Sequence, residues 1–204
     1  MRKATRIVAA AFGIAAGLAG LEHGVFEILQ GNIRPAGFMF PSMGTPCIPE
    51  QAWNACEPAV SVLPNLLTAG ILTVIVGLLI LVWSAAFVQR KHGGLILILL
   101  SVLLILVGGG VFPPLFGVIG GVAGISINNH VTRKPRGNIV MLMSRVWPWP
   151  LIIFMVWALG QFPFGYFFND FLKSIIAYGL LLMVAMLPLS IYTAYARDTR
   201  PNGA

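Results

Sequence analysis

Apolar residues fill five long stretches of this chain almost without a charge, and polar residues gather in the gaps between them. That alternation predicts helices solvated by lipid rather than by water. The first stretch, about 7–29, makes roughly 34 Å of helix, enough to cross a bilayer. Its charged start, Met1-Arg2-Lys3-Ala4-Thr5-Arg6, also resembles the opening of a secretory signal. Apolar character resumes at Leu21, Val25, Phe26, Ile28 and Leu29, so a retained anchor helix is expected. A second helix is expected over about 62–88.

The next apolar run, Leu95 to Ile127, holds 33 residues. As one straight helix it would measure roughly 50 Å against a hydrocarbon core of about 30 Å. Gly108-Gly109-Gly110-Val111-Phe112-Pro113-Pro114 interrupts it. Glycine relaxes a helix and proline lacks the N–H that would continue one. Two short helices are therefore expected, about 94–109 and 114–128, joined by a tight Gly/Pro turn, with a re-entrant hairpin as the alternative. A fifth helix starts at Trp147-Pro148-Trp149-Pro150 and runs to about Phe168, and a sixth covers about 171–193. Residues 139–144 are expected along the inner interface.

The charges orient these segments. Eleven of the thirteen Lys and Arg residues fall in four clusters: Arg2/Lys3/Arg6, Arg90/Lys91, Arg133/Lys134/Arg136 with Arg145, and Arg197/Arg200. Basic residues between spans favour the cytoplasmic side. All four clusters are satisfied by an all-α, polytopic helical bundle of about six membrane segments with both termini cytoplasmic. Composition agrees: hydrophobic residues make up 58%, charged residues 9%, and mean hydropathy is +0.89. The net charge of +7 lies in small clusters flanking apolar runs, which argues against nucleic acid. Residues 1–204 read as a single integral membrane domain, with the bilayer as its first partner and a cytoplasmic (inner) membrane as its location.

Residues 30–61 form the expected outer loop, which carries both cysteines, Cys47 and Cys56. Outside the cytoplasm paired thiols tend to oxidise, and a disulfide closing this loop is worth about 2–3 kcal/mol in the chain-entropy model. Two free thiols are the alternative. Neither Cys-x-x-Cys redox spacing nor a recognised set of metal ligands is present in the loop.

The sharpest polar constellation is Glu22-His23-Gly24-Val25-Phe26-Glu27 in the first helix. His23 and Glu27, four residues apart, share a face with Gln30, while Glu22 points about 100° away. His23 lies roughly 24 Å along the helix, in the outer third of the membrane. Ionisable residues at such depth face a bundle interior, a partner or water. Two readings stand side by side. In one, Glu22, His23 and Glu27 form a site for a proton, a metal ion or a small polar ligand. In the other they are an internal cluster, with His23 bonded to Glu27 and an acid paired with Arg34 or Lys173. A catalytic role would recruit further groups, of which Asn65 and Thr68 are the obvious ones. His92 and His130 lie on the opposite side and complete no site. The sequence assigns no metal, no cofactor and no catalytic residue, and no protease, P-loop or dinucleotide pattern is present.

Gly13/Gly17, Gly20/Gly24, Gly117/Gly121 and Gly120/Gly124 are each four apart. Small residues at this spacing let helices approach closely in lipid, either within the chain or in a homo-oligomer or membrane-protein complex. They nominate the first and fourth helices as neighbours, which sets Glu22 and His23 beside the break at Pro113-Pro114.

Leu-Glu-His-Gly-Val-Phe-Glu-Ile-Leu-Gln-Gly-Asn, Gln-Arg-Lys-His-Gly-Gly and Gly-Gly-Gly-Val-Phe-Pro-Pro-Leu resemble runs in uncharacterised prokaryotic multi-spanning membrane proteins. That group has no assigned activity, so the resemblance implies no site residues. The expectation is a small non-enzymatic membrane protein, a packing partner or ligand-binding component. A small transporter or channel-like protein and a metal-dependent membrane enzyme are the alternatives.

Overall fold

In lipid a backbone amide has no water to bond, so apolar stretches close their hydrogen bonds internally as helices. The computed structural model describes residues 1–42, 57–129 and 137–200. Four of its helices are long and apolar enough to cross a membrane. They are α1 (Lys3–Gln30), α2 (Leu66–Val82, continued by a π-helical turn at Trp83–Phe87), α6 (Trp149–Phe167) and α7 (Asn169–Asp198). Between them lie two shorter apolar helices, α3 (Gly93–Val107) and α4 (Phe112–Ile125), and an amphipathic one, α5 (Asn138–Val146). The chain is an all-α, multi-spanning helical membrane protein.

Helix α1 is the hub. Just over half of its apolar window (56%) is buried in the bundle, against 29% for α6 and 22% for α7, which lie at the periphery. Glycine makes this centre possible. A Cβ on Gly17 would sit 2.9 Å from the Gly77 carbonyl oxygen, one on Gly24 2.9 Å from that of Gly70, and one on Gly120 3.0 Å from that of Ala9. Backbones therefore meet directly where α1 crosses α2 and α4, as small residues allow in lipid. Phe12 of α1 and Phe116 of α4 each meet the Phe154 ring of α6 edge-on, at 4.8 and 5.3 Å. These glycine stripes are filled by contacts within the chain, so they do not present a ready face for oligomerisation.

The ends of the elements depart from the sequence expectations for local reasons. Helix α1 begins at Lys3 rather than near Ile7 because Asp198, at the far end of the chain, caps it. Its carboxylate accepts from Ala4 N–H at 2.9 Å, Thr5 N–H at 2.8 Å and the Thr5 hydroxyl at 2.8 Å. Helix α2 begins at Leu66 because Asn65 accepts from Thr68 N–H, the usual N-cap bond. Helix α4 starts at Phe112, with Pro113 and Pro114 in its first turn, where no intrahelical N–H is required. The last helix is longer than expected and runs on to Asp198. Residues 139–144 are helical, within α5.

The Asp198 cap also brings the C-terminal end of α7 to the N-terminal end of α1. Arg2 N–H donates to the Ile127 carbonyl there, and Asn128 donates to the Gln89 carbonyl. Removing three hydrogen bonds from a helix N-terminus is costly. Asp198→Ala should lower the unfolding free energy by about 1–2 kcal/mol, with Asp198→Asn retaining part of it. Thermal unfolding of the detergent-solubilised variants measures this, and an unchanged transition would show that the cap contributes nothing.

At the opposite end, β1 (Met39–Pro41) and β2 (Pro58–Val60) pair antiparallel, Met39 against Val60 and Pro41 against Pro58. Ser42 extends the ladder, its N–H and hydroxyl both donating to the Glu57 carbonyl at 2.9 and 3.1 Å. The disulfide expectation is corrected here. No disulfide occurs among the described residues, and Cys47 and Cys56 lie outside them. The two arms of the outer loop are held together by backbone hydrogen bonds at the loop's base, so its closure does not depend on a covalent link.

Candidate functional site

Two polar side chains on the buried face of α1 define the site. His23 is 2% exposed and Glu27 is fully buried, one helical turn apart as the four-residue spacing requires. Gly24, between them, draws α1 onto Gly70 of α2. That close approach brings Thr73, one turn further along α2, up to the Glu27 carboxylate. The Thr73 hydroxyl is already committed, however, because it donates to the Val107 carbonyl at 3.0 Å.

The connection between α3 and α4 closes over the pair. Gly108 has φ +125° and Gly110 φ +75°, both in the region that favours glycine. A Cβ on Gly108 would stand 2.5 Å from one Glu27 carboxylate oxygen and 2.6 Å from the other. A Cβ on Gly110 would stand 2.5 Å from His23 Nε2. Only a bare backbone fits against these groups. Its amides are turned inward on their own segment: Gly108 and Gly109 N–H donate to the Leu104 carbonyl, and Gly110 N–H to that of Gly108.

A third polar group reaches the site from the outer loop. Glu57, immediately before β2, has a half-exposed side chain, and its Oε2 lies 3.3 Å from His23 Nε2. A carboxylate only accepts, so the ring nitrogen facing it carries a hydrogen, which leaves Nδ1 of a neutral ring as an acceptor. No hydrogen bond reaches His23 Nδ1 or either Glu27 oxygen, although all three atoms are buried. Buried polar atoms are ordinarily partnered, and an unmet one costs about 1–3 kcal/mol. Below the site, fully buried Leu104 packs on Gly20, and the Phe12, Phe116 and Phe154 rings follow. The described polar connection therefore leads to the loop side, through Glu57.

The sequence sets His23 and Glu27 on one face and Glu22 and His23 beside the break at Pro113-Pro114; in the structure His23 and Glu27 are the pair that meet the α3–α4 connection, at Gly110 and Gly108. Glu22 sits half-buried on the neighbouring face, within electrostatic reach of Glu57. The internal pairings considered from sequence do not form among the described residues. His23 bonds Glu57 rather than Glu27, and neither Glu22 nor Glu27 pairs with Arg34 or Lys173. Asn65 and Thr68 cap α2 instead of joining the site, and Asn65 also donates to Asn32. His92 lies in the turn at the opposite end, and His130 falls outside the described residues. Glu57 and Thr73 were not legible as site residues, because their approach depends on the β1–β2 register and on the α1–α2 glycine contact. Among the described residues no group of three or more His, Cys, Asp or Glu side chains has the arrangement of a metal site. No protein-family model, curated protein or solved structure matches the chain.

Proposed function

We propose that this chain is a small, non-enzymatic, six-segment protein of a prokaryotic cytoplasmic membrane that binds a small ion at a site facing the outer side. The observation that carries the reading is the set of three buried polar atoms, His23 Nδ1 and both Glu27 oxygens, that no hydrogen bond reaches among the described residues. Such atoms in a bundle core oppose folding, and their natural use is to meet something that arrives from outside. The site offers no nucleophile paired with a base, which argues against catalysis.

The six-segment topology draws support from the Asp198 cap. The contact of Asp198 with Ala4 and Thr5 at one end of the bundle is consistent with an even number of crossings. Helices α3 and α4, of 15 and 14 residues, are about 22 and 21 Å long and form the short third and fourth segments. The basic clusters then place the Asp198 end in the cytoplasm and Glu57 outside.

A transport role is the second reading, favoured by one feature. The broken α3–α4 segment abuts the ion site, as discontinuous helices do in transporter sites.

Ion-dependent unfolding tests the primary reading. The melting temperature of wild-type protein should move with pH or with one member of a panel of alkali, divalent and ammonium cations. Folded Glu27→Gln should lose that response. Identical profiles for the two proteins under every condition would end the proposal.

A further inference from the structure

We infer that the ion is a proton, held by the Glu27 carboxyl and exchanged with the outer aqueous phase through His23 and Glu57. The inference rests on the ion-site reading above and names the ion. Size is the first argument. The Gly108 backbone lies so close to both Glu27 oxygens that even a methyl group would collide. On the Gly108 side the carboxylate therefore has no room for a hydrated metal ion or an organic ammonium, whereas a proton needs none.

Donor supply is the second argument. Among the described residues the groups facing Glu27 and His23 are few: Glu22 and the ring itself on α1, Glu57 before β2, the Thr73 hydroxyl on α2, and the backbone of the α3–α4 turn. The turn amides are bonded to Leu104 and Gly108, and Thr73 to Val107. Among the described residues no Lys or Arg pairs with either acid. A bare carboxylate in this setting lacks every ordinary means of support. A proton turns it into a neutral acid with one O–H to donate, and Thr73 Oγ1 offers a lone pair beside it.

The exchange is balanced simply. A hydronium at the outer surface becomes water, and the Glu27 carboxylate becomes a carboxylic acid. Glu57, half-exposed and 3.3 Å from His23 Nε2, is the group that meets the water. With Nε2–H facing Glu57, His23 can take the Glu27 proton at Nδ1 while the Nε2 proton passes to Glu57, and uptake is the reverse of these two transfers, starting from the Nδ1–H tautomer.

Infrared difference spectroscopy on the purified protein reads the proton directly. Wild type at neutral pH should show a carboxylic-acid carbonyl band that shifts in heavy water and is absent from Glu27→Gln. If that variant fails to fold, Glu27→Met serves as the same control. Glu57→Gln and His23→Ala should keep the band but slow its shift after transfer to heavy water. Unchanged exchange in both variants would remove the proposed route. A wild-type spectrum lacking the band would overturn the inference. If a metal or ammonium cation still shifts wild-type melting but not that of Glu27→Gln, the ion-site reading survives with a different ion. If neither signature is seen, both fall.

Discussion

Replacing Glu27 by Met should make the protein more stable while removing its ion response. Met has nearly the volume and flexibility of Glu, so it fills the same space against Gly108 and Thr73 without a new cavity. What disappears is a fully buried carboxyl group that, even as a neutral acid donating to Thr73 Oγ1, keeps one oxygen without a hydrogen-bond partner. Each unmet group of this kind opposes folding by about 1–3 kcal/mol, and the substitution should recover a gain of that order. Thermal or denaturant unfolding in detergent is the measurement. A purely structural Glu27 predicts the opposite sign, because deleting one partner of a satisfied buried contact destabilises. Loss of stability in Glu27→Met would therefore mean that the carboxyl is supported in the membrane, and the case for a functional acid would fail. A gain in stability with loss of the pH or cation response is the usual signature of a residue retained for function.

How far the sequence could reach is clear from particular residues. The helical, multi-spanning class was legible because lipid demands long apolar runs. The pairing of His23 with Glu27 on one face followed from helical periodicity alone. Glu57 was visible only as an acid in the outer loop. Its approach to His23 requires the β1–β2 register, and short strands such as Met39–Pro41 leave little pattern in sequence. The glycine stripes announced close packing without saying against what. Gly24 meets Gly70 on α2 while Gly120 meets Ala9 on α1, so one helix serves two neighbours. Nothing in the sequence around Asp198 signals a capping role, which emerges only when the last helix returns to cap the first. In each case the missing information is a contact between residues distant in sequence, where local propensity says nothing.

Gly108→Ala is expected to be strongly damaging, and the reason is divisible. One part is backbone strain: at φ +125° an L-residue is poorly tolerated, at a cost of about 1–3 kcal/mol. The other part is collision of the new methyl with the Glu27 carboxylate, whose oxygens would lie 2.5 and 2.6 Å away. Glu27 has packed neighbours on every side and is fully buried, so it cannot simply swing clear, and overpacking of this kind adds about 1–3 kcal/mol. The two contributions separate in a double-mutant cycle. In a Glu27→Ala background the methyl has space, so Gly108→Ala should then show only the strain, and the coupling between the sites should amount to about 1–3 kcal/mol. Gly110→Ala should couple to His23 in the same way, because its methyl would strike the ring at Nε2. Additive effects in both cycles would place the turn away from the acid and the imidazole. The site would then lose its roof, and with it the argument that the Gly108 side leaves no room for a hydrated cation.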